Sequence, residues 1–236
     1  MDFTSAAFFL FVLLLAGVYF VIPGKYQWIV LLAGSYAFYY LTAGPLLIFL
    51  VITTITTYAT GVLLGRVNAQ NGGIADGHLA EEFKEQKKRA AAALKKKKQW
   101  IMAAALLINF GILAFMKYFN FFAVNTNSLL PFLSIQSTIP TLSLILPLGI
   151  SFYTFQSTGY VIDVYRGKIQ PDRNLAKFAL FVSFFPQIVQ GPISRYSQLA
   201  HQLYEGHKAD YARIKFGAQL VLWGCSRNWL SRIGPG

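Results

Sequence analysis

Seven apolar runs divide this chain, and they set what it can fold into. The stretches 3–22, 26–41, 45–64, 100–116 and 142–164 are each long enough to cross, or nearly cross, a bilayer as a helix. A sixth, 175–189, leads into a break, and 214–223 begins a seventh. Backbone inside lipid must satisfy its own hydrogen bonds, which a continuous apolar run does as a helix. Composition agrees: 55% of residues are hydrophobic and only 13% charged, with a mean hydropathy of +0.47. That leaves too little polar surface to coat a soluble domain of 236 residues. The expected fold is an all-α integral membrane protein, a multi-pass helical bundle in the cell (plasma or inner) membrane. The first run has no basic segment ahead of it and exceeds the core of a secretory signal, so it is expected to be retained.

The net charge of +12 could suggest a nucleic-acid binder, but its distribution argues against nucleic acid as a partner. Nine of the 21 basic residues fall in 65–99 and eight in 165–215, between apolar runs. Basic loops of this kind stay in the cytoplasm. Counting spans outward then puts the N-terminus and the polar stretch 120–140 outside, with Lys25 inside. The basic cytoplasmic loop 65–99 contains "EEFKEQKKRAAAALKKKKQW", of helix-forming composition. It reads as a solvated, topology-setting helix, as an amphipathic helix on anionic lipid headgroups, or as a dock for an acidic partner.

The break is "FFPQIVQGPIS", 184–194. Pro186 and Pro192 each remove a backbone donor and disfavour helix in the preceding residue. Gly191 permits a close approach or an unusual backbone angle. Gln187 and Gln190 can satisfy freed backbone groups or face a ligand. Basic residues flank the segment on both sides: Arg173 and Lys177 before it, Arg195 and Lys208 after it. With both flanks cytoplasmic, the chain enters the membrane and returns, a re-entrant segment rather than a span. A proline-kinked helix without a ligand is the plainer alternative.

In the preceding span Gln156, Gly159 and Asp163 fall on one helical face with Tyr160 beside them. Polar groups at such depth normally point into a bundle or a wet path, although Asp163 could instead pair with Arg166 near the surface. "GVLLG" (61–65) would let helices approach closely, and the threonines at 53, 54, 56 and 57 can bond their own backbone. His78, His201 and His207 all lie outside the apolar runs and read as solvated loop residues. Cys225 stands alone, and no His/Cys/Asp/Glu cluster has metal-ligand spacing, so no metal site is expected. The chain carries a polar interior without a visible catalytic constellation.

Three motifs carry a resemblance. "MKYFNFF" (116–122), "LPLGISFYTFQSTGYVIDVYRGK" (146–168) and "FALFVSFFPQIVQGPISRYSQL" (178–199) are similar to the membrane-bound O-acyltransferases. The branch is that of the alginate O-acetyltransferase membrane component, with the D-alanyl transfer protein of Gram-positive walls more distant. Gln190 stands where that branch often has a small residue, and the charged 65–99 loop is longer than is typical.

The resemblance implies a multi-helix funnel that carries an acyl group, in this branch acetyl, from a cytoplasmic donor to hydroxyls of an extracellular polysaccharide. The donor would be a coenzyme A or carrier-protein thioester. Membrane lipids, the polysaccharide acceptor and an acyl-carrier or secreted acyltransferase would be the partners. It implies substrate-channel roles for Gln156, Asp163, Pro186, Gln187, Gly191, Pro192 and Arg195. It also implies a catalytic histidine downstream of residue 236, so that 1–236 is the N-terminal part of a single acyltransferase domain, inactive alone.

The tail 225–236, "CSRNWLSRIGPG", departs from the family, which continues with two lysines, an aliphatic run and Ala-Asp-Arg. One codon spelling of 225–233, read in another frame, restores that pattern. A frameshift near Gly224 is therefore expected, and codons that cannot give that frame would exclude it. A transporter or flippase component and a truncated membrane scaffold are the competing readings, since broken helices serve transport equally well.

Overall fold

A computed structural model describes residues 6–75, 82–129 and 149–233. His78 and residues 142–148 of the fifth expected span lie outside them, as does the end of the tail, 234–236. All secondary structure among the described residues is helical. Helix α1, Ala6–Val21, is apolar all round and stops before Pro23. A 3-10 turn holding Lys25 leads into α2, Gln27–Ala43. That helix ends on Gly44, whose φ of 57° strongly favours glycine, and Pro45 follows in a second tight turn. Next come α3, Leu47–Ala75, and α4, Glu82–Leu129. The remaining helices are α5, Ile150–Tyr165; α6, Leu175–Ser183; α7, Phe185–Gln190; α8, Tyr196–Tyr204; and α9, Tyr211–Ile233.

Two helical stretches, Gly24–Gln70 and Lys88–Ser128, are long and apolar enough to cross a membrane, the first being divided by the turn at Gly44. The apolar helices α1 and 175–188 are shorter. Within the basic stretch 65–99, the helix expected over 81–100 is present as the first part of α4. Helix α3 runs on to Ala75 and α4 starts at Glu82, so the two form a helical pair extending past the apolar runs. Charge ends a hydrophobic run but does not end the backbone ladder, and Lys, Glu and Ala are strong helix formers. Helix α9 likewise continues beyond the seventh run.

Close packing converges on α5. Helix α3 lies along it, with Gly61 set so near the Tyr160 ring that a Cβ would stand 2.7 Å from its hydroxyl. One turn on, Gly65 faces Pro171 in the same way. The small-residue spacing at 61 and 65 thus serves the close approach expected of it. Tyr153, Tyr160 and Val164 of α5 and Phe178 and Phe181 of α6 are fully buried with Leu50 and Leu64 of α3. In lipid such packing is driven by dispersion and fit rather than by escape from water. Leu13 and Leu14 of α1 and Leu107, Phe121 and Phe122 of α4 face outward.

Both basic territories meet at one end of the bundle. Lys98 of α4 sits 4.6 Å over the Tyr165 ring at the end of α5, and Asn68 of α3 donates to the Val164 carbonyl. Tyr58 of α3 donates to the Arg173 carbonyl. Gln27 binds the His207 backbone in both directions, its Nε2 donating to the carbonyl at 3.0 Å and its Oε1 accepting from the amide at 2.7 Å. Gly24 and Gly206 touch backbone to backbone. The start of α2, the ends of α3 and α5, the start of α6 and the end of α8 are therefore neighbours.

Candidate functional site

From this basic end, α6 enters the bundle and cannot continue past Ser183. Pro186 has no N–H, and in an unbroken helix its ring would collide with the Val182 carbonyl. Phe184 leaves the helix at φ −56° and ψ 106°, and α7 restarts with the proline in its first turn, where no N–H is needed. Among the hydrogen bonds the break disrupts is that from the Phe185 N–H to the Phe181 carbonyl. Neighbouring helices replace both halves. Ser35 Oγ of α2 accepts from Phe185 N at 3.3 Å, and Gln156 Nε2 of α5 donates to the Phe181 carbonyl at 3.0 Å.

Gln156 also donates to Gln187 Oε1 at 3.2 Å, and Gln187 Nε2 donates to the Pro192 carbonyl at 2.7 Å. Both amides are buried. Their work is thus to close broken backbone, the first of the two roles open to Gln187. After α7 the chain is extended through residues 191–195 and returns, so that Tyr196 at the start of α8 packs on Phe181 and Tyr160. The segment goes in and comes back to the end it left.

Gly191 has an ordinary extended conformation, φ −71° and ψ 160°. Its need for glycine is space, since a Cβ would lie 2.7 Å from Gln187 Cα. Gly149, ahead of α5, needs glycine twice over. Its φ is +69°, and a Cβ would meet the Ile188 side chain at 2.2 Å and the Ile188 carbonyl at 2.5 Å.

The side chains of the other expected site residues do not point into the brace, although the Pro192 carbonyl belongs to it. Pro186 and Pro192 are exposed, and Arg195 is exposed at the N-terminus of α8. Asp163 is half-buried and makes no ion pair with Arg166 among the described residues. The face expected to hold Gln156, Gly159 and Asp163 is in fact the Gln156–Tyr160 face. Those two are buried, whereas Gly159 faces open space. Packing against α3 and α6 selects a face four residues in period, and Gly159 lies one step off it.

Sequence reasoning missed the residue that organises the mouth of the excursion, Asp172. Its Oδ2 accepts from the Tyr196 hydroxyl at 2.6 Å and the Tyr204 hydroxyl at 3.2 Å. Its Oδ1 accepts from Asn174 N at 2.9 Å, and its own amide donates to the Tyr160 hydroxyl. Asn174 then caps α6 by accepting from the amides of Ala176 and Lys177. Burial above all pushes the Tyr196 and Tyr204 phenols well above their usual range. The adjacent Asp172 adds to this, as does the Tyr196 phenol for Tyr204. Both therefore remain protonated donors. Lys177 lies over the rings of Trp28 and Tyr204, at 5.9 Å and 5.2 Å. The signal available in sequence was the turn "PDRN" ahead of an apolar run, which predicts a cap but not the phenols that reach it.

Deeper in the bundle the hydroxyls of Thr57, Ser157 and Ser183 are buried without a hydrogen-bond partner among the described residues. The Tyr39 and Tyr153 rings meet edge to face at 6.4 Å. The expected backbone bonding of the threonines is found at Thr54 and Thr56, whereas Thr57 has no partner among the described residues. His201 and His207 are exposed at the basic end. His201 pairs with Glu205 at 3.4 Å, and the His207 ring meets the Gln202 carbonyl.

The alginate O-acetylase relatives match the chain across both the brace and the excursion. Over 212 residues, 89% of this chain, it is 31% identical to a protein of Azotobacter vinelandii named "Probable alginate O-acetylase AlgI". Along most of its length the chain is similar to membrane-bound O-acyltransferases. It is also 33% identical over 138 residues to a Helicobacter pylori peptidoglycan O-acetyltransferase, covering 48% of this chain and 25% of that one. A teichoic acid D-alanyltransferase of Lacticaseibacillus rhamnosus is 47% identical over 77 residues, 31% of this chain and 17% of its own length. The chain spans 38% of the length of the Azotobacter relative. No family model and no solved structure matches it.

Proposed function

We propose that this chain forms part of a multi-pass membrane O-acyltransferase that moves an acyl group, acetyl above all, onto hydroxyls of an extracellular polysaccharide. The observation that carries the reading is the similarity to alginate, peptidoglycan and teichoic acid acyltransferases, which for the alginate relative extends over 89% of the chain and so takes in the braced excursion. The basic end faces the cytoplasm, where a coenzyme A or carrier-protein thioester presents the acyl group. Gln156 lies ten residues above Arg166, about 15 Å up the helix, or half the depth of a roughly 30 Å hydrocarbon layer. At that depth the excursion is re-entrant, and irregular backbone is tolerated there because protein surrounds it.

In the reaction the acceptor oxygen bonds the acyl carbon and the carbon–sulfur bond breaks. The hydroxyl proton passes to a base and on to the departing thiolate. His201 and His207 are exposed and make no hydrogen bond with the amide brace among the described residues, so the brace positions the path. The unpaired interior hydroxyls suit a polar guest. A secreted acyltransferase or an acyl carrier completes the set of partners.

Cysteines introduced at Gln70 and Glu205 should both be shielded from membrane-impermeant label added outside, and labelling of either from that side alone contradicts the topology. Gln187→Leu should lower acyl transfer by about tenfold to a hundredfold at unchanged membrane abundance, because slight misplacement of a path has effects of that order. Full turnover in that variant would reduce the excursion to a scaffold. Export of unmodified glycan without any transfer would favour a transporter.

A further inference from the structure

Helix α4 carries its charges at two levels separated by an uncharged stretch. Between Lys98 and Lys117 lie 18 uncharged residues, about 27 Å of helix, close to the roughly 30 Å hydrocarbon layer. Trp100 is 75% exposed at one boundary, and Lys117 and Tyr118 are exposed at the other. Because α4 is one continuous helix from Glu82 to Leu129, its basic part continues the apolar part rather than lying in the membrane plane. Lys95 and Lys98 are then within about 5 Å of each other along the axis, inside the headgroup layer. Lys88 and Arg89 stand about 13–15 Å beyond Lys98, in water.

Lys95, Lys96 and Lys97 are exposed, and at 100° per residue they fan around the helix, while Lys98 turns inward over Tyr165. The sequence has no acidic residue between Glu85 and Asp163, and these three lysines form no ion pair among the described residues. A tryptophan beside them, at the level where its ring is favoured, completes the arrangement.

We infer that Lys95, Lys96 and Lys97, with Trp100 beneath them, form a binding belt for anionic phospholipid headgroups. The inference rests on the reading of α4 as a membrane span. The lysines sit at phosphate depth, whereas a soluble acidic partner would first meet Lys88 and Arg89. Each lysine near an anionic surface strengthens attraction by about fivefold.

The chain would be reconstituted into mixed phosphatidylcholine and phosphatidylglycerol vesicles and extracted in mild detergent. The lipids retained on it would be counted by native mass spectrometry. Phosphatidylglycerol should be enriched on the wild type, and less so in high salt. The enrichment should fall at least about fivefold in the K95Q/K96Q/K97Q variant. It should persist in K95R/K96R/K97R and in K88Q/R89Q. Equal enrichment in the glutamine triple variant overturns the inference, as does an equal loss in K88Q/R89Q. Loss of binding to an acidic carrier protein with lipid enrichment intact assigns the lysines to that protein instead. Alkaline carbonate extraction separates the two levels of failure. Protein washed from the membrane refutes both the span and the belt, whereas protein retained without lipid preference refutes the belt alone.

Discussion

At the tip of the α6–α8 excursion, the Phe185–Phe181 hydrogen bond lost in the break before Pro186 is replaced by neutral groups, Ser35 for the Phe185 amide and Gln156 for the Phe181 carbonyl. At its mouth a carboxylate, Asp172, gathers two phenols and a backbone amide. Both regions hold the same segment, but each uses the chemistry its surroundings tolerate. A buried amide can donate and accept without carrying charge into an apolar interior. A carboxylate suits the mouth, where Arg173 is exposed and Lys177 lies over Tyr204. The tip is thus a repair of broken helix, while the mouth is a clasp that joins α8 to the turn before α6.

Removing the clasp should cost more than removing the brace. Asp172→Ala strands the Tyr196 and Tyr204 hydroxyls and the Asn174 amide, and should destabilise the protein by about 3 kcal/mol or more. Gln156→Leu strands the Phe181 carbonyl and unties Gln187, and should cost about 1–2 kcal/mol. Thermal unfolding in detergent micelles compares the two directly. The reverse ranking would mean that the excursion is held at its tip and that α8 contributes little.

The smallest effect expected is one of pH. Because the folded Tyr196 and Tyr204 phenols sit above their unfolded value of about 10, their contribution is fully present below that pH. It should be lost only as pH rises through their higher folded values. Tyrosinate absorbance of the wild type against Tyr196→Phe and Tyr204→Phe reads this out. A clasp that loosens between pH 6 and about 9 would have to depend on other groups.

Much of this arrangement was legible in the residues. Apolar runs foretold α1 to α6 because burial and backbone satisfaction in lipid act over whole stretches, and Pro186 with Gly191 marked the break because their constraints are local. The glycines at 61 and 65 announced a close approach before any partner was known. Element ends were less legible. Helices α3 and α4 pass through the charged stretch that a hydropathy reading treats as loop, since hydropathy registers the solvent and not the ladder.

Sequence by itself determined the helical class, the concentration of basic charge in two territories, and the need for something polar at the break. The motifs also sufficed to indicate the family resemblance. Only the tertiary structure decided which groups meet that need, because Ser35 is 150 residues from Phe185 and Gln156 is 25 from Phe181, and they come together only where α2, α5 and α6 cross. It likewise decided that Gly159 and Asp163 stand apart from the brace and that Asp172, an ordinary turn residue in the chain, becomes the hub of four tyrosine and backbone contacts. A turn's capping power is encoded locally. Which distant phenols reach its carboxylate depends on how α8 returns to the mouth.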